Sequence, residues 1–167
     1  DLSIPDPNES FYCSPYIKST GFTHLMKLVL MAKNLDAINL VKEIISNNPE
    51  EIDKQNKDGW TALMIAVINS NTDSNIETVK LLLEAKSNPN LQGNDRQTSL
   101  YYLLKEGNLE KDIECTEQLI LASQKSIPSD GSFYNLYLER NVTVLNDYMI
   151  RILKGESVIN KTKSARN

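Results

Sequence analysis

The chain has 167 residues and a net charge of −4, with 40% apolar and 24% charged residues, which suits one ordinary folded domain. Its acidic balance argues against a nucleic-acid partner, because such binding draws its affinity from cations that neutralise phosphates. The longest apolar runs, 28–32 and 63–68, are far shorter than the ~20 residues that span a bilayer. We therefore expect a cytoplasmic protein without a membrane partner.

Residues 1–19 precede any repeating pattern and contain three Pro among several aromatic residues. Proline interrupts helices because it lacks an N–H donor and its ring clashes with the preceding turn. We predict a non-repeat N-terminal arm here. The arm either folds over the first repeat as a cap or serves as an extended recognition segment.

A repeated motif opens three successive segments after the arm. Thr23, Thr61 and Thr98 lie 38 and 37 residues apart, and the Leu two positions after each Thr keeps the same register. Each motif leads into an apolar run, a polar break and a second amphipathic pattern, and the second patterns span 36–46, 76–85 and 113–123. Two short antiparallel helices per unit are therefore predicted.

The connectors and the opening motif have a physical rationale. The segments 52–59 and 88–96 are rich in Asn, Asp, Gly and Pro, which predicts hairpin-like loops. Gly21 and Gly59 can adopt the turn conformation, and the Thr hydroxyl two residues later can accept from a backbone N–H at a helix start. The following Leu enters a shared core, because one helix pair alone cannot bury its apolar side.

These units resemble ankyrin repeats, whose first helix opens with G-x-T-P-L-H-x-A and whose second helix ends near V-x-L-L-x-x-G-A-D-V-N. Residues 58–90 match well, and the matching residues are Gly59, Thr61, Leu63, Ala66, Val79, Leu82, Leu83 and Asn90. The resemblance implies an all-α ankyrin-repeat solenoid of about four helix pairs, with hairpin-like connecting loops and capping end repeats. Its repeat domain would span 20–155 in units 20–56, 57–92, 93–128 and 129–155, followed by a C-terminal tail, 156–167.

The long period and the bias toward Asn, Ile and Lys are similar to those of ankyrin proteins from large amoeba-infecting DNA viruses. For a viral protein, the expected location is the host cytoplasm.

The sequence departs from the family pattern at positions that need special backbone conformations. Lys86 stands where the family has a Gly with positive φ, and Arg96 replaces the turn Gly of the third unit. Such a residue costs roughly 1 kcal/mol, so we expect a less stable stack than an idealised one. In the fourth unit Leu136 lies five residues after Gly131 instead of four, which is typical of a capping repeat, and Gly155 would cap its last helix.

The residues that could carry catalysis are scattered along the chain. The single His24 has no Ser or Cys motif beside it, and we expect a packing role for it. Cys115 occupies an apolar position of a second helix, which predicts a core thiol, and Cys13 is too distant for a zinc site. The acidic residues at 50, 51 and 53 are interpreted as a solvated loop. We predict no catalytic residue, metal, cofactor or small-molecule substrate.

The resemblance implies a scaffold that binds a partner protein through the concave face and the hairpin tips of the stack. The predicted partner-binding residues are Phe22, Leu30, Met31, Lys57, Asp58, Trp60, Ile68, Asn69, Asn94, Asp95, Gln97 and Lys105. Exposed aromatic residues commonly anchor interfaces. The alternative for Phe22 and Trp60 is that they pack on the next hairpin or under the N-terminal arm.

The functional prediction is a non-catalytic protein–protein interaction scaffold, present as a monomer or a weak homodimer. Two alternatives remain open. One is an adaptor that recruits substrates to the ubiquitin ligase machinery of a host, and the other is an enzyme that uses the N-terminal arm together with His24.

Overall fold

The computed structural model describes residues 11–14, 17–71 and 76–156, and eight helices follow one another within them. The helices are α1 (His24–Met31), α2 (Leu35–Asn47), α3 (Ala62–Ile68), α4 (Ile76–Glu84), α5 (Ser99–Glu106), α6 (Ile113–Ala122), α7 (Ser132–Glu139) and α8 (Asp147–Leu153). Short 3₁₀ turns occupy Pro49–Glu51, Asn69–Asn71 and Gln124–Ser126.

The helices form two layers of a stack. In the inner layer α3 packs between α1 and α5, and α5 in turn packs against α7. The outer layer runs α2, α4, α6 and α8 in the same order. Each inner helix and the outer helix that follows it make one unit, so the predicted stack of four helix pairs is confirmed. The exact boundaries of the units and of the arm stay a prediction.

The N-terminal arm adds a small antiparallel hairpin to this helical fold. Strand β1 (Phe11–Ser14) pairs with β2 (Ile17–Ser19), with Phe11 opposite Ser19 and an irregularity between Tyr12 and Ser14. Strand β1 lies beside α3. The arm thus contacts the second helix pair, and the choice between a cap on the first repeat and a recognition segment stays a prediction.

Threonine hydroxyls begin two of the inner helices, as the motif predicts. Thr23 accepts a hydrogen bond from the backbone N–H of Met26, and Thr61 accepts one from that of Met64, both at 3.2 Å. Thr98 is at the equivalent position before α5, but its buried hydroxyl has no hydrogen-bond partner among the described residues. The third inner helix therefore begins without this stabilising contact.

Two non-glycine residues hold the left-handed backbone conformation where the sequence predicted a replaced glycine. The φ angle is 67° at Lys86 and 68° at Arg96. Gly59, which precedes α3 as Arg96 precedes α5, has a φ of 78°. A Cβ atom on Gly59 would lie only 2.8 Å from the backbone N of Asn94. Glycine is therefore required at position 59 by both dihedral angle and space.

The fourth unit differs from the others in ways expected of a terminal unit. Helix α7 begins directly after Gly131, without a threonine between them. At its end, the guanidinium of Arg140 donates to the carbonyl oxygens of Leu103 at 3.2 Å, Leu104 at 2.9 Å and Gly107 at 2.5 Å. These are carbonyls at the end of α5, which a cation stabilises. The fourth unit therefore caps the third.

Within the described residues, no helix combines the length and the apolar character that crossing a membrane requires.

Candidate partner-binding surface

Each of the first three units has three equivalent positions spaced four residues apart. The first lies two residues before the inner helix begins, and the other two lie on one face of that helix. We name this set the inner stripe. It comprises Phe22, Met26 and Leu30 in the first unit, Trp60, Met64 and Ile68 in the second, and Gln97, Tyr101 and Lys105 in the third. It is apolar in the first two units and polar in the third.

The inner stripe is buried throughout the first and second units. Phe22 is 0% exposed and Trp60 is 4% exposed, so the expectation that they are exposed is wrong. The indole of Trp60 packs against Tyr102 of the next unit, and Gly93 of the next hairpin lies close to its ring. The packing alternative is therefore the one that the structure supports, and a role for either residue in binding stays a prediction.

Strand β1 contacts the helix that carries Met64 and Ile68 of the stripe. Helix α3 is flanked by α1 and α5, backed by α4, and contacted by β1. Every residue of α3 is buried, including Met64 and Ile68 of the stripe.

Hydrogen bonds tie the base of the arm to the second unit's hairpin. The Ser19 hydroxyl donates to the carboxylate of Asp58 and accepts from the Nδ2 of Asn56 at 2.6 Å. The backbone N–H of Lys57 donates to the carbonyl of Thr20 at 3.3 Å. The same backbone pattern links the next pair of hairpins, where Asn94 N–H donates to the Asp58 carbonyl at 2.8 Å. Residues 19–20 therefore take the place of a preceding hairpin tip.

The third unit's part of the stripe is accessible. Lys105 is exposed, and Tyr101 and Gln97 are half-buried. The Lys105 ammonium lies 5.6 Å from the centroid of the Tyr101 ring, a cation–π arrangement. Gln97 and Tyr101 also border a cavity of about 340 Å³ between α5 and α7, whose other lining residues are Pro128, Asp130, Ser132, Phe133 and Leu136.

Most residues of the hairpin tips are exposed, but the two tip carboxylates accept hydrogen bonds within the protein. Lys57, Asn94 and Asp95 are exposed, and Asp58 is half-buried. The carboxylate of Asp58 accepts from Ser19, and that of Asp95 accepts from the Tyr102 hydroxyl. Burial, and after it the hydrogen bond to Asp95, raises the pKa of Tyr102. The two carboxylates thus organise the tips, and contact with a partner stays a prediction for all four tip residues.

The ends of the inner helices differ in accessibility. Leu30, Ile68 and Asn69 are buried. The expectation that these three residues face a partner is therefore wrong for this conformation. Asn69 uses its Nδ2 to donate to the Ile65 carbonyl at 3.0 Å, which ends α3. Met31 is 47% exposed and remains available, and its binding role stays a prediction.

Sequence reasoning missed Tyr101, the middle residue of the third unit's stripe. The predicted binding positions follow the turn or end the inner helix, and Tyr101 lies between them. The four-residue spacing from Gln97 to Tyr101 to Lys105 was the signal that could have identified it.

The groups considered for catalysis lie apart. His24 is half-buried at the first turn of α1. Cys115 is 2% exposed, which confirms the predicted core thiol, and burial raises its pKa to about 12. Among the described residues, no group of three His, Cys, Asp or Glu side chains could hold a metal ion. Two acidic residues are structural, since Glu51 accepts from Leu25 N–H at 3.3 Å and Asp53 accepts from Asn88 N–H at 2.9 Å.

A comparison with protein families decides the identity of this stack. The family described as ankyrin repeats matches residues 28–128 in three copies. The chain belongs to the ankyrin-repeat family. The resemblance inferred from the opening motifs is therefore confirmed, and the stack of helix pairs is an ankyrin-repeat solenoid.

Several similar ankyrin proteins come from Acanthamoeba polyphaga mimivirus. One putative ankyrin repeat protein of this virus is 46% identical over 91 residues, which cover 51% of this chain and 14% of that protein. A second is 36% identical over 117 residues, covering 70% of this chain and 20% of that protein. The chain thus spans about a fifth or less of the length of these relatives. No solved structure matches it.

Proposed function

We propose that this ankyrin chain is a non-catalytic scaffold that binds a partner protein through the third unit's inner stripe and the hairpin tips. Ankyrin repeats are generally protein–protein interaction modules, and this chain has the repeats over 28–128. The observation that carries the proposal is the change along the stripe, from buried at Trp60 to accessible at Tyr101 and Lys105. Binding in the cytoplasm, by a monomer or weak homodimer, is part of the proposal.

The accessible part of the stripe has suitable chemistry for a protein partner. Tyr101 offers an aromatic surface and a hydroxyl, and such residues are enriched where interfaces gain most of their affinity. The adjacent cavity of about 340 Å³ can receive one apolar side chain of the partner. Because the inner helices are fixed by packing on both sides, little conformational freedom is lost on docking.

The test is affinity capture from cell lysate followed by a measured affinity for the captured protein. The wild-type chain is compared with a Tyr101→Ala, Lys105→Glu double variant. The matched control is Ile113→Ala, Lys111→Glu, which changes an exposed apolar residue and an exposed lysine at the start of outer helix α6. We expect the stripe variant to weaken binding at least tenfold and the control to leave it unchanged.

Equal capture by all three chains would remove the stripe from the proposal. Recovery of ubiquitin ligase subunits among the captured proteins would support the adaptor alternative. Phe22 and Trp60 are poor choices for this experiment, because their burial means that truncation disturbs the fold itself.

A further inference from the structure

We propose that the N-terminal hairpin β1–β2 is an intramolecular ligand of the concave face. It occupies the apolar part of the inner stripe and excludes partners from it until it is released. The inference rests on the proposed function in one respect only, namely that the concave face binds a partner. The position of the hairpin can be tested without any partner.

The first observation is a difference between equivalent residues of consecutive units. Ile68 and Lys105 occupy the same stripe position, yet Ile68 is 5% exposed and Lys105 is exposed. Met64 is 0% exposed, whereas its equivalent Tyr101 is half-buried. Both helices have inner-layer neighbours on two sides. The stack alone therefore does not explain why the stripe is closed in the second unit and accessible in the third.

The second observation identifies what closes it. Among the described elements, helix α3 packs against α1, α5 and α4, is followed by the 3₁₀ turn Asn69–Asn71, and is also contacted by β1. The proposed place of β1 is the side of α3 that carries Met64 and Ile68. An apolar stripe that faced water would be an exposed patch of the kind that marks an interaction site. Here a segment of the same chain provides the cover.

The third observation concerns how the hairpin is held. Its attachment at the base is polar and local: Ser19 bonds to Asp58 and Asn56, and Thr20 accepts from the Lys57 backbone. β1 and β2 pair with each other as a separate two-stranded sheet, so the hairpin contributes no strand to a larger one. A hairpin attached in this way can leave the stripe while the helical stack stays folded.

The consequence is a division of the concave face into two regions. A partner confined to Tyr101 and Lys105 binds without disturbing the arm. A partner that extends to Met64 and Ile68 competes with the hairpin, so its apparent affinity is reduced by the fraction of molecules in which the hairpin is bound. Release of the arm therefore raises the affinity of the second kind of partner and leaves that of the first unchanged.

The experiment compares thiol accessibility at the two equivalent stripe positions. Ile68→Cys and Lys105→Cys are made separately in the full chain and labelled with a maleimide, and each labelled site is resolved by mass spectrometry. We expect position 68 to react at least tenfold more slowly than position 105. A releasing double substitution, Tyr12→Pro with Ser19→Asp, is then added to each. It breaks the strand pairing and places a second carboxylate beside Asp58, and we expect position 68 to approach the rate of position 105.

Two controls keep the result interpretable. The native Cys115 is buried in the stack, so it must stay unlabelled in every chain, which shows that exposure at position 68 does not come from unfolding of the whole stack. Ser126→Asp changes a half-buried serine that makes an inter-unit hydrogen bond, to Asn90 at 2.6 Å, far from the arm in sequence. This variant is expected to leave the labelling at position 68 slow.

Two outcomes would overturn the inference. Equal labelling of positions 68 and 105 in the full chain would mean that the hairpin does not cover the stripe. Slow labelling at position 68 with and without the releasing substitutions would mean that the stack itself buries Ile68. Because no partner is present, either result is separate from failure of the capture experiment, which tests the proposed function through Tyr101 and Lys105.

Discussion

The indole ring of Trp60 lies against the phenol ring of Tyr102, with centroids 5.4 Å apart and planes tilted by 38°. The two residues belong to consecutive units, and the Tyr102 hydroxyl is hydrogen-bonded to Asp95 at the next hairpin. One aromatic contact thus joins the segment that leads into α3, helix α5 and a hairpin. Trp60 is therefore a residue of the inter-unit core.

Truncation of Trp60 is expected to destabilise the fold strongly. Trp60→Ala removes a side chain that is 4% exposed, and such a change costs about 3–5 kcal/mol of unfolding free energy. Gln97→Ala is the control, because Gln97 occupies the equivalent position in the third unit but is only half-buried. Its unfolding free energy is expected to stay within about 0.5 kcal/mol of the wild-type value. Urea denaturation followed by circular dichroism measures both. Similar losses for the two variants would contradict the core role of Trp60.

Two threonines at equivalent positions are expected to respond differently to the same substitution. Thr61→Val removes the hydroxyl that accepts from Met64 N–H, and loss of such a helix cap costs about 1 kcal/mol. Thr98→Val replaces a buried hydroxyl that has no hydrogen-bond partner among the described residues, so it is expected to be neutral or slightly stabilising. The difference in unfolding free energy between the variants is the measurement. Equal losses would mean that the Thr98 hydroxyl is also bonded.

The helix starts were predictable from sequence because they depend on neighbouring residues. Helices α1, α3 and α5 each begin at the residue after a marker threonine, Thr23, Thr61 or Thr98. The turn conformations at Lys86 and Arg96 follow from the same local register. A motif of a few residues is sufficient for both.

The burial of the inner stripe was not predictable in the same way. Whether Trp60 is exposed depends on Tyr102 in the next unit and on where the arm lies, and neither follows from the residues next to Trp60. The sequence predicted that Phe22 and Trp60 face a partner, but it could not show that both are buried. Tyr101 was missed because only the ends of the stripe were considered.

The strained turn at Lys86 offers a route to a more stable protein. Lys86 is exposed and has a φ of 67°, and a left-handed conformation costs a non-glycine residue roughly 1–2 kcal/mol. Lys86→Gly is therefore expected to raise the unfolding free energy by about 0.5–1 kcal/mol, after the greater flexibility of unfolded glycine is included. Lys42→Gly, inside α2, should have the opposite sign, with a loss of about 1 kcal/mol. A loss of unfolding free energy in both variants would contradict the claim that the backbone at Lys86 is strained.

Arg140 is expected to stabilise the third unit through its contacts with α5. Arg140→Ala removes charged hydrogen bonds to three carbonyl oxygens at the end of that helix, at a cost of about 2 kcal/mol. The loss of unfolding free energy in Arg140→Lys should lie between zero and that of Arg140→Ala, because one ammonium cannot reach all three acceptors in the same geometry. Arg151→Ala breaks an exposed ion pair with Glu156 and serves as the control, with an expected loss of at most about 1 kcal/mol. Thermal denaturation that gave Arg140→Ala and Arg151→Ala the same effect would refute the capping role.

The buried thiol predicts weaker stability in alkaline solution. Burial raises the pKa of Cys115 from 9.0 to about 12, so the folded chain keeps a proton that the unfolded chain releases. This contribution is complete below about pH 9 and is lost as the pH rises toward about 12, by up to ~1.4 kcal/mol per pH unit. Cys115→Ala should flatten this decline. The raised pKa of Tyr102 acts in the same direction in both chains, so parallel curves from urea denaturation at pH 8–11 would show that the thiol makes no contribution.

A linear stack usually loses its end units first, because an end unit has a neighbour on one side only. The arm changes this at the N-terminal end, since it precedes the first helix pair but contacts α3 of the second and hydrogen-bonds to that unit's hairpin. To fray, helices α1 and α2 must part from the second unit while the chain that leads into them is still attached to it. The first two pairs should therefore open together as one cooperative block, and amide hydrogen exchange should be slower in α1 than in α7.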